Sequence, residues 1–126
     1  MDEPLTLLLS LTHTYRLYTA LRLSSLPWPK EQGPPNITLI DPNSRFLFKP
    51  LMYELVTENA QEDEVMPSFQ ELLAETAVCH VRDYVDKVVI GSSSSSSNNH
   101  SGSLQLRSDA DDVPFDWLVL ASGSKV

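Results

Sequence analysis

Glycine is missing where this chain most invites it. The apolar run LTLLL (residues 5–9) is followed by LYTALRL (17–23), which has helical spacing, and the stretch between them, Leu11 to Arg16, holds no glycine. A strand that feeds a helix through a pyrophosphate cradle needs backbone amides close to the ligand, and side chains block that approach. A Gly-rich phosphate turn is therefore excluded here, although Arg16 offers a charge. Cysteine is nearly absent as well: Cys79 stands alone, which excludes an internal disulfide framework. It is expected to be a small buried apolar residue. Its neighbour His80 would point to the opposite face of a strand, so a thiol–imidazole pair is not expected. Basic residues are few, nine Lys+Arg against seventeen Asp+Glu, for a net charge of −8. That balance argues against a nucleic-acid backbone or an anionic membrane surface as main partner. A small anionic cofactor stays open, because local amides and helix ends can hold it.

Long apolar runs are lacking too. Leu5 to Leu11 is interrupted by Thr6 and Ser10, so no span is read there. The opening MDEP is acidic where a signal peptide is basic, and no Arg- and Ser-rich leader follows; no targeting peptide is read. His13, His80, His100 and Cys79 have no metal-ligand spacing. No Ser/His/Asp pattern stands out, so neither a metal site nor a catalytic residue is assigned.

What is present is one domain's worth of globular sequence: 126 residues, 41% hydrophobic and 21% charged. Residues 5–9 suit a strand. Residues 17–26 suit a helix, with Leu17, Ala20 and Leu21 on one face and Pro27 as its stop. After a loop with three prolines (28–36), ITLID (37–41) reads as a second strand, and PNS as a turn. Strand, helix, strand is the βαβ unit of a parallel sheet. FLFKPLMYELV (46–56) is expected to begin extended and turn helical at Pro50. Residues 58–64 read as an acidic solvated loop, 67–76 as a helix, and 77–90 as two strand-like runs. GSSSSSSNNHSGS (91–103) reads as a flexible hairpin tip before a returning strand, LQLRS. FDWLVLASGS (115–124) is expected to be one continuous strand covered on both faces.

Asp41 is the first candidate for chemistry. An acidic residue ending the second strand of a βαβ unit is placed to hold the ribose hydroxyls of an adenine dinucleotide. A turn-initiating Asp before Pro-Asn-Ser fits the same residue. Ala121, Ser122 and Gly123 are small residues at a strand end, suited to packing a ligand on backbone or to a plain turn.

"ITLIDPNSRFLFKPLMYELV", "FQELLAETAVCHVRDYVDKV" and "FDWLVLASGS", with "RLYTALRLSSLPWP" before them, resemble the FAD-binding N-terminal part of type II NAD(P)H dehydrogenases. The likeness is to the plant organellar alternative NAD(P)H:quinone oxidoreductases and covers roughly residues 16–124. F-x-F-K-P-x-x-Y-E-L is its more specific segment. The resemblance implies an α/β fold: a partial Rossmann-like FAD/NAD(P)-binding domain, a parallel sheet with a β-hairpin or meander insertion. It implies a single incomplete domain over 1–126, truncated and inactive alone, or a non-enzymatic remnant of the same fold. It also implies FAD as cofactor, NAD(P)H and quinone as partners, peripheral membrane association, a homo- or heterodimer, and a chloroplast or mitochondrial setting. By resemblance, Asp41 matches the ribose-holding acid, Val85 a position near the adenine contacted through backbone, and Ala121, Ser122 and Gly123 a small-residue motif packed on FAD. Lys49 and Pro50 match a loop on the flavin side. The family's glycine-rich turn is replaced by Leu11 to Arg16.

Overall fold

A computed structural model describes residues 7–10, 13–91, 101–108 and 111–121. The chain runs β1 (Leu7–Ser10), α1 (His13–Ser25) and β2 (Ile37–Ile40), then three short helices, α2 (Met52–Val56), α3 (Glu62–Val65) and α4 (Phe69–Leu73). β3 (Val78–Val81), β4 (Val85–Ile90), β5 (Gly102–Leu106), β6 (Val113–Phe115) and β7 (Trp117–Leu120) follow. Four strands form a parallel sheet in the order β3-β2-β1-β7, and three form an antiparallel sheet in the order β4-β5-β6. The expected α/β fold, a parallel sheet carrying a β-meander, is what the chain adopts.

The two faces of β2 explain the layering. Ile37 and Leu39 point to one side, where they pack with Leu17 and Ala20 of α1, Phe69 and Leu73 of α4, Phe46 and Val78. Ile40 points to the other side and joins Leu104, Leu106 and Phe115 of the meander. Alternation along one strand thus feeds two cores, with helices on one face of the parallel sheet and the antiparallel sheet on the other.

α1 buries the expected face, Leu17 and Ala20, with Leu21 packed beside them. It ends at Ser25, before Pro27, and the Trp28 indole N–H donates to the Leu23 carbonyl at 2.7 Å. That bond satisfies one of the carbonyls a helix end leaves without a partner. The helix starts earlier than its sequence suggests. His13–Arg16, read as part of the turn, have helical backbone in α1.

Four further expectations need correction. The acidic stretch at 58–64 is not all loop: Glu62–Val65 form α3, whose Gln61 backbone N–H donates to the Glu64 carboxylate at 2.8 Å. Three acidic residues in its first turn suit the positive end of the helix dipole. Gly102 and Ser103, read as part of the flexible tip, lie in β5; residues 92–100 fall outside the described residues. The run from Phe115 is not one strand. Phe115 closes β6 in the antiparallel sheet, while Trp117–Leu120 pair in parallel with β1. β7 is an edge strand of the described sheet, not one covered on both faces: Trp117 is 68% and Leu120 60% exposed. Cys79 is exposed rather than buried. Its strand β3 is the other edge of the described sheet, where one face of the strand stays open to solvent.

The loop between β2 and α2 is zipped to the segment before α4. Phe46 N–H donates to Pro67 O at 2.8 Å, Phe48 N–H to Val65 O at 3.0 Å, and Phe69 N–H to Ser44 O at 3.0 Å. The F-x-F side chains explain the register: Phe46 is buried in the helix-side core, with Phe48 packed against it. The Ser68 hydroxyl caps α4 by accepting the Glu71 N–H at 3.2 Å.

Candidate functional site

The parallel strands end together. Leu7 is level with both Ile37 and Trp117, so Ser10, Ile40, Val81 and Leu120 share one edge. Ligands of open α/β sheets bind outside the carboxyl ends of the strands. Asp41 and Ala121 both sit one residue beyond this edge, on either side of β1. Two strand spacings put them about 10 Å apart.

Asp41 is 1% exposed. Its backbone N–H donates to Val81 O at 3.1 Å, which extends the β2–β3 ladder past the last strand residue. Its Oδ1 accepts both the Asn43 backbone N–H at 2.8 Å and the Asn43 Nδ2–H at 3.0 Å. This is an Asx turn, the local role the Asp-Pro-Asn sequence itself suggests. Two β3 side chains grip the same turn. His80 Nε2 bonds the Asp41 carbonyl at 3.2 Å, and Arg82 Nε donates to the Pro42 carbonyl at 3.2 Å. The His80 ring lies against Phe69, with centroids 4.6 Å apart.

The other residues named from the sequence lie in separate elements. Val85 opens β4 and packs against the core formed by Ile40 and the meander. Lys49 and Pro50 lie in a single 3-10 turn, Lys49–Leu51, that leads into α2; both are exposed. Pro50 sits in the first turn, as its missing N–H allows. Ala121 is half-buried after β7, and Ser122 and Gly123 lie outside the described residues. The sequence assigns no site role to Asn43 or Arg82, reads Phe69 only as part of the face of the 67–76 helix, and offers His80 only as a metal ligand or base. The bond from His80 to Asp41 spans 39 positions, so no local spacing announces it. Among the described residues no group of His, Cys, Asp and Glu is arranged to hold a metal. None of their helices is long and apolar enough to cross a membrane.

Beside the Asp41 turn, Asp83 accepts from the Ser108 hydroxyl and from the Tyr84 N–H, the latter at 2.7 Å. Arg107 stacks over the Tyr84 ring at 4.3 Å. The Ser108 hydroxyl, against some desolvation, holds Asp83 below the usual carboxylate range; the Tyr84 and Ser108 N–H groups and the Arg107 charge add to this. The Ser108→Ala protein is expected to titrate Asp83 at a higher pH than the wild type, while the backbone N–H groups and Arg107 still hold it down. A carboxyl-detected NMR titration reads this directly, and an unmoved Asp83 would remove Ser108 as the cause. A folded-state value below the unfolded one contributes stability above the unfolded value, lost as pH falls through the folded one. The wild-type clip therefore weakens only in acid, below about pH 4.

A parallel sheet with helices on one face, a meander on the other and an acid at the end of the second strand defines an FAD/NAD(P)-binding fold. The described structure matches the crystal structure of the sulfide:quinone oxidoreductase from Aquifex aeolicus with a TM-score of 0.69 at 16% identity, over 98% of this chain and 25% of that one. By sequence, the chain is 40% identical over 111 residues to demethylphylloquinone reductase NdbB of Synechocystis sp., a match over 86% of this chain and 25% of that protein. It is 38% identical over 113 residues to the alternative NAD(P)H-ubiquinone oxidoreductase C1, chloroplastic/mitochondrial, of Arabidopsis thaliana, over 86% of this chain and 21% of that protein. No family model matches the chain. The resemblance to the alternative NAD(P)H:quinone oxidoreductases is borne out at this level, and the chain spans a quarter or less of the length of these curated relatives.

Proposed function

We propose that this chain is the FAD-binding N-terminal part of an NAD(P)H:quinone oxidoreductase, inactive by itself. The observation that carries the reading is Asp41, the acid at the end of β2 on the carboxyl edge of a parallel sheet. The adenosine half of FAD fits these residues. The Asp41 carboxylate accepts ribose hydroxyls, the Val85 backbone lies toward the adenine, and Ala121, Ser122 and Gly123 let the ligand approach backbone. Lys49 and Pro50 serve the flavin side. The pyrophosphate half is the weaker part of the reading, because no glycine stands between Leu11 and Arg16 to allow a close backbone approach. When bound, FAD supplies the hydride acceptor for NAD(P)H and the electrons for quinone. The residues of this chain bind and orient its adenosine end, and none of them is catalytic. Peripheral membrane association, a chloroplast or mitochondrial setting and pairing into a dimer belong to the same reading.

A second reading, a scaffold that keeps the fold without the ligand, is favoured by one observation. Asp41 is 1% exposed, and its Oδ1 already closes a turn on Asn43.

Calorimetric titration of the 126-residue chain with FAD separates the two. The first reading expects saturable binding. Asp41→Asn keeps an Oδ1 acceptor for the turn but loses the charge and one acceptor, and it is expected to weaken binding about tenfold or more. A wild-type chain that gives no heat with FAD selects the scaffold.

A further inference from the structure

We propose that His80 is a positioning residue for the Asp41 turn, with Arg82 as its second clamp; the ligand side of this proposal rests on the FAD reading above. The β2–β3 ladder is interrupted just past Asp41. With Asp41 N–H donating to Val81 O, a continuing parallel ladder would bring Asp83 N–H to the Asp41 carbonyl. Asp83 N–H instead turns back to Val81 O at 3.1 Å. The next β2 donor that would face β3, the Asn43 N–H, closes instead on Asp41 Oδ1. Side chains of β3 and the residue after it meet two successive carbonyls here, those of Asp41 and Pro42. His80 and Arg82 alternate by two along the chain and take one carbonyl each. A carbonyl only accepts, so the His80 ring carries its proton on Nε2.

The ring is itself held. Phe69 packs against it with centroids 4.6 Å apart and the rings tilted by 37°, is buried in the helix-side core, and ties its own N–H to Ser44 O at 3.0 Å. The turn from Asp41 to Ser44 is thus fixed at its start by His80 and at its end by the backbone of Phe69. The position of the Asp41 carboxylate on the sheet edge follows from this double hold rather than from the Asx turn alone. A ligand-holding carboxylate needs its backbone fixed before the ligand arrives, and a neighbouring donor that fixes it acts without touching the ligand.

Two variants test this. His80→Leu removes the donor; His80→Gln restores an amide N–H near the Nε2 position while losing the ring equally. Amide exchange is followed at Asp41 and Asn43, with Leu104 and Leu106 in the other core as reference. His80→Leu is expected to speed exchange at Asp41 and Asn43 about tenfold, with the reference amides within about twofold, and His80→Gln to restore most of the protection. Unchanged Asp41 and Asn43 exchange in His80→Leu, or a loss shared equally by the Leu104 amide, overturns the proposal. Where the wild-type chain binds FAD, His80→Leu is expected to bind about tenfold more weakly and His80→Gln to recover; equal affinities overturn it too. If the wild-type chain binds no FAD, the FAD reading fails and the exchange comparison alone decides on His80.

Discussion

Phe69→Ala is expected to cost about 4 kcal/mol of unfolding free energy. Phe69 is 2% exposed, and it meets Phe46 edge-on at 6.4 Å between centroids and His80 at 4.6 Å. Its removal loses the transfer energy of a large ring and leaves a void that α4, a single short turn of helix capped by Ser68, cannot collapse to fill. The neighbours lost with it are specific: Phe46 anchors the F-x-F loop and His80 holds the Asp41 carbonyl. The truncation is therefore expected to loosen both core and site, and a domain with about 5–15 kcal/mol to spend in total would unfold in far less urea. Urea unfolding followed by tryptophan fluorescence checks the number. A loss below about 1 kcal/mol would mean that the two aromatic contacts are not what holds the loop.

Gly102→Ala is the second large effect, for the opposite reason. Gly102 opens β5, level with Ile90 on one side and Phe115 on the other. A Cβ built there would strike the Val89 carbonyl oxygen and lie 2.6 Å from Phe115 Cζ. One obstacle is backbone of the neighbouring strand and the other a buried ring, so neither yields without moving part of the antiparallel sheet. The expected cost is about 3 kcal/mol, at the upper end for overpacking by one carbon. The loss should show in chemical denaturation, and in amide exchange across β4, β5 and β6 while β2 and β3 keep their protection. A variant as stable as the wild type would show that Phe115 can swing aside.

Much of this architecture was legible in the residues. Strand, helix and strand over the first forty positions follow from helical spacing of Leu17, Ala20 and Leu21, the Pro27 stop and the short run ITLID, and all three are in place within a few residues. Those signals are local: periodicity and backbone chemistry act within a turn or a strand. The helical turn at Pro50 was legible for the same reason. The split between Phe115 and Trp117 was not. An apolar run has one appearance whether its strand is continuous or passes from one sheet to another, because pairing partners do not show in hydrophobicity. The α3 turn was missed because a string of acids reads as solvated until Gln61 and Glu64 are seen as a capping pair.

The candidate site divides in the same way. An acid at the end of the second strand, an Asp-Pro-Asn turn after it and the lack of glycine where a phosphate cradle would be are all readable from residue type at neighbouring positions. Folding is what sets β3 beside β2, so that His80 and Arg82 reach the carbonyls of Asp41 and Pro42, and what puts Phe69 behind the His80 ring. It also decided that Gly102 must be glycine, since only the approach of Val89 and Phe115 leaves no room for a side chain. The physical reason is common to all three: these are contacts across strand pairings and between layers, and their partners become neighbours only when the sheets form.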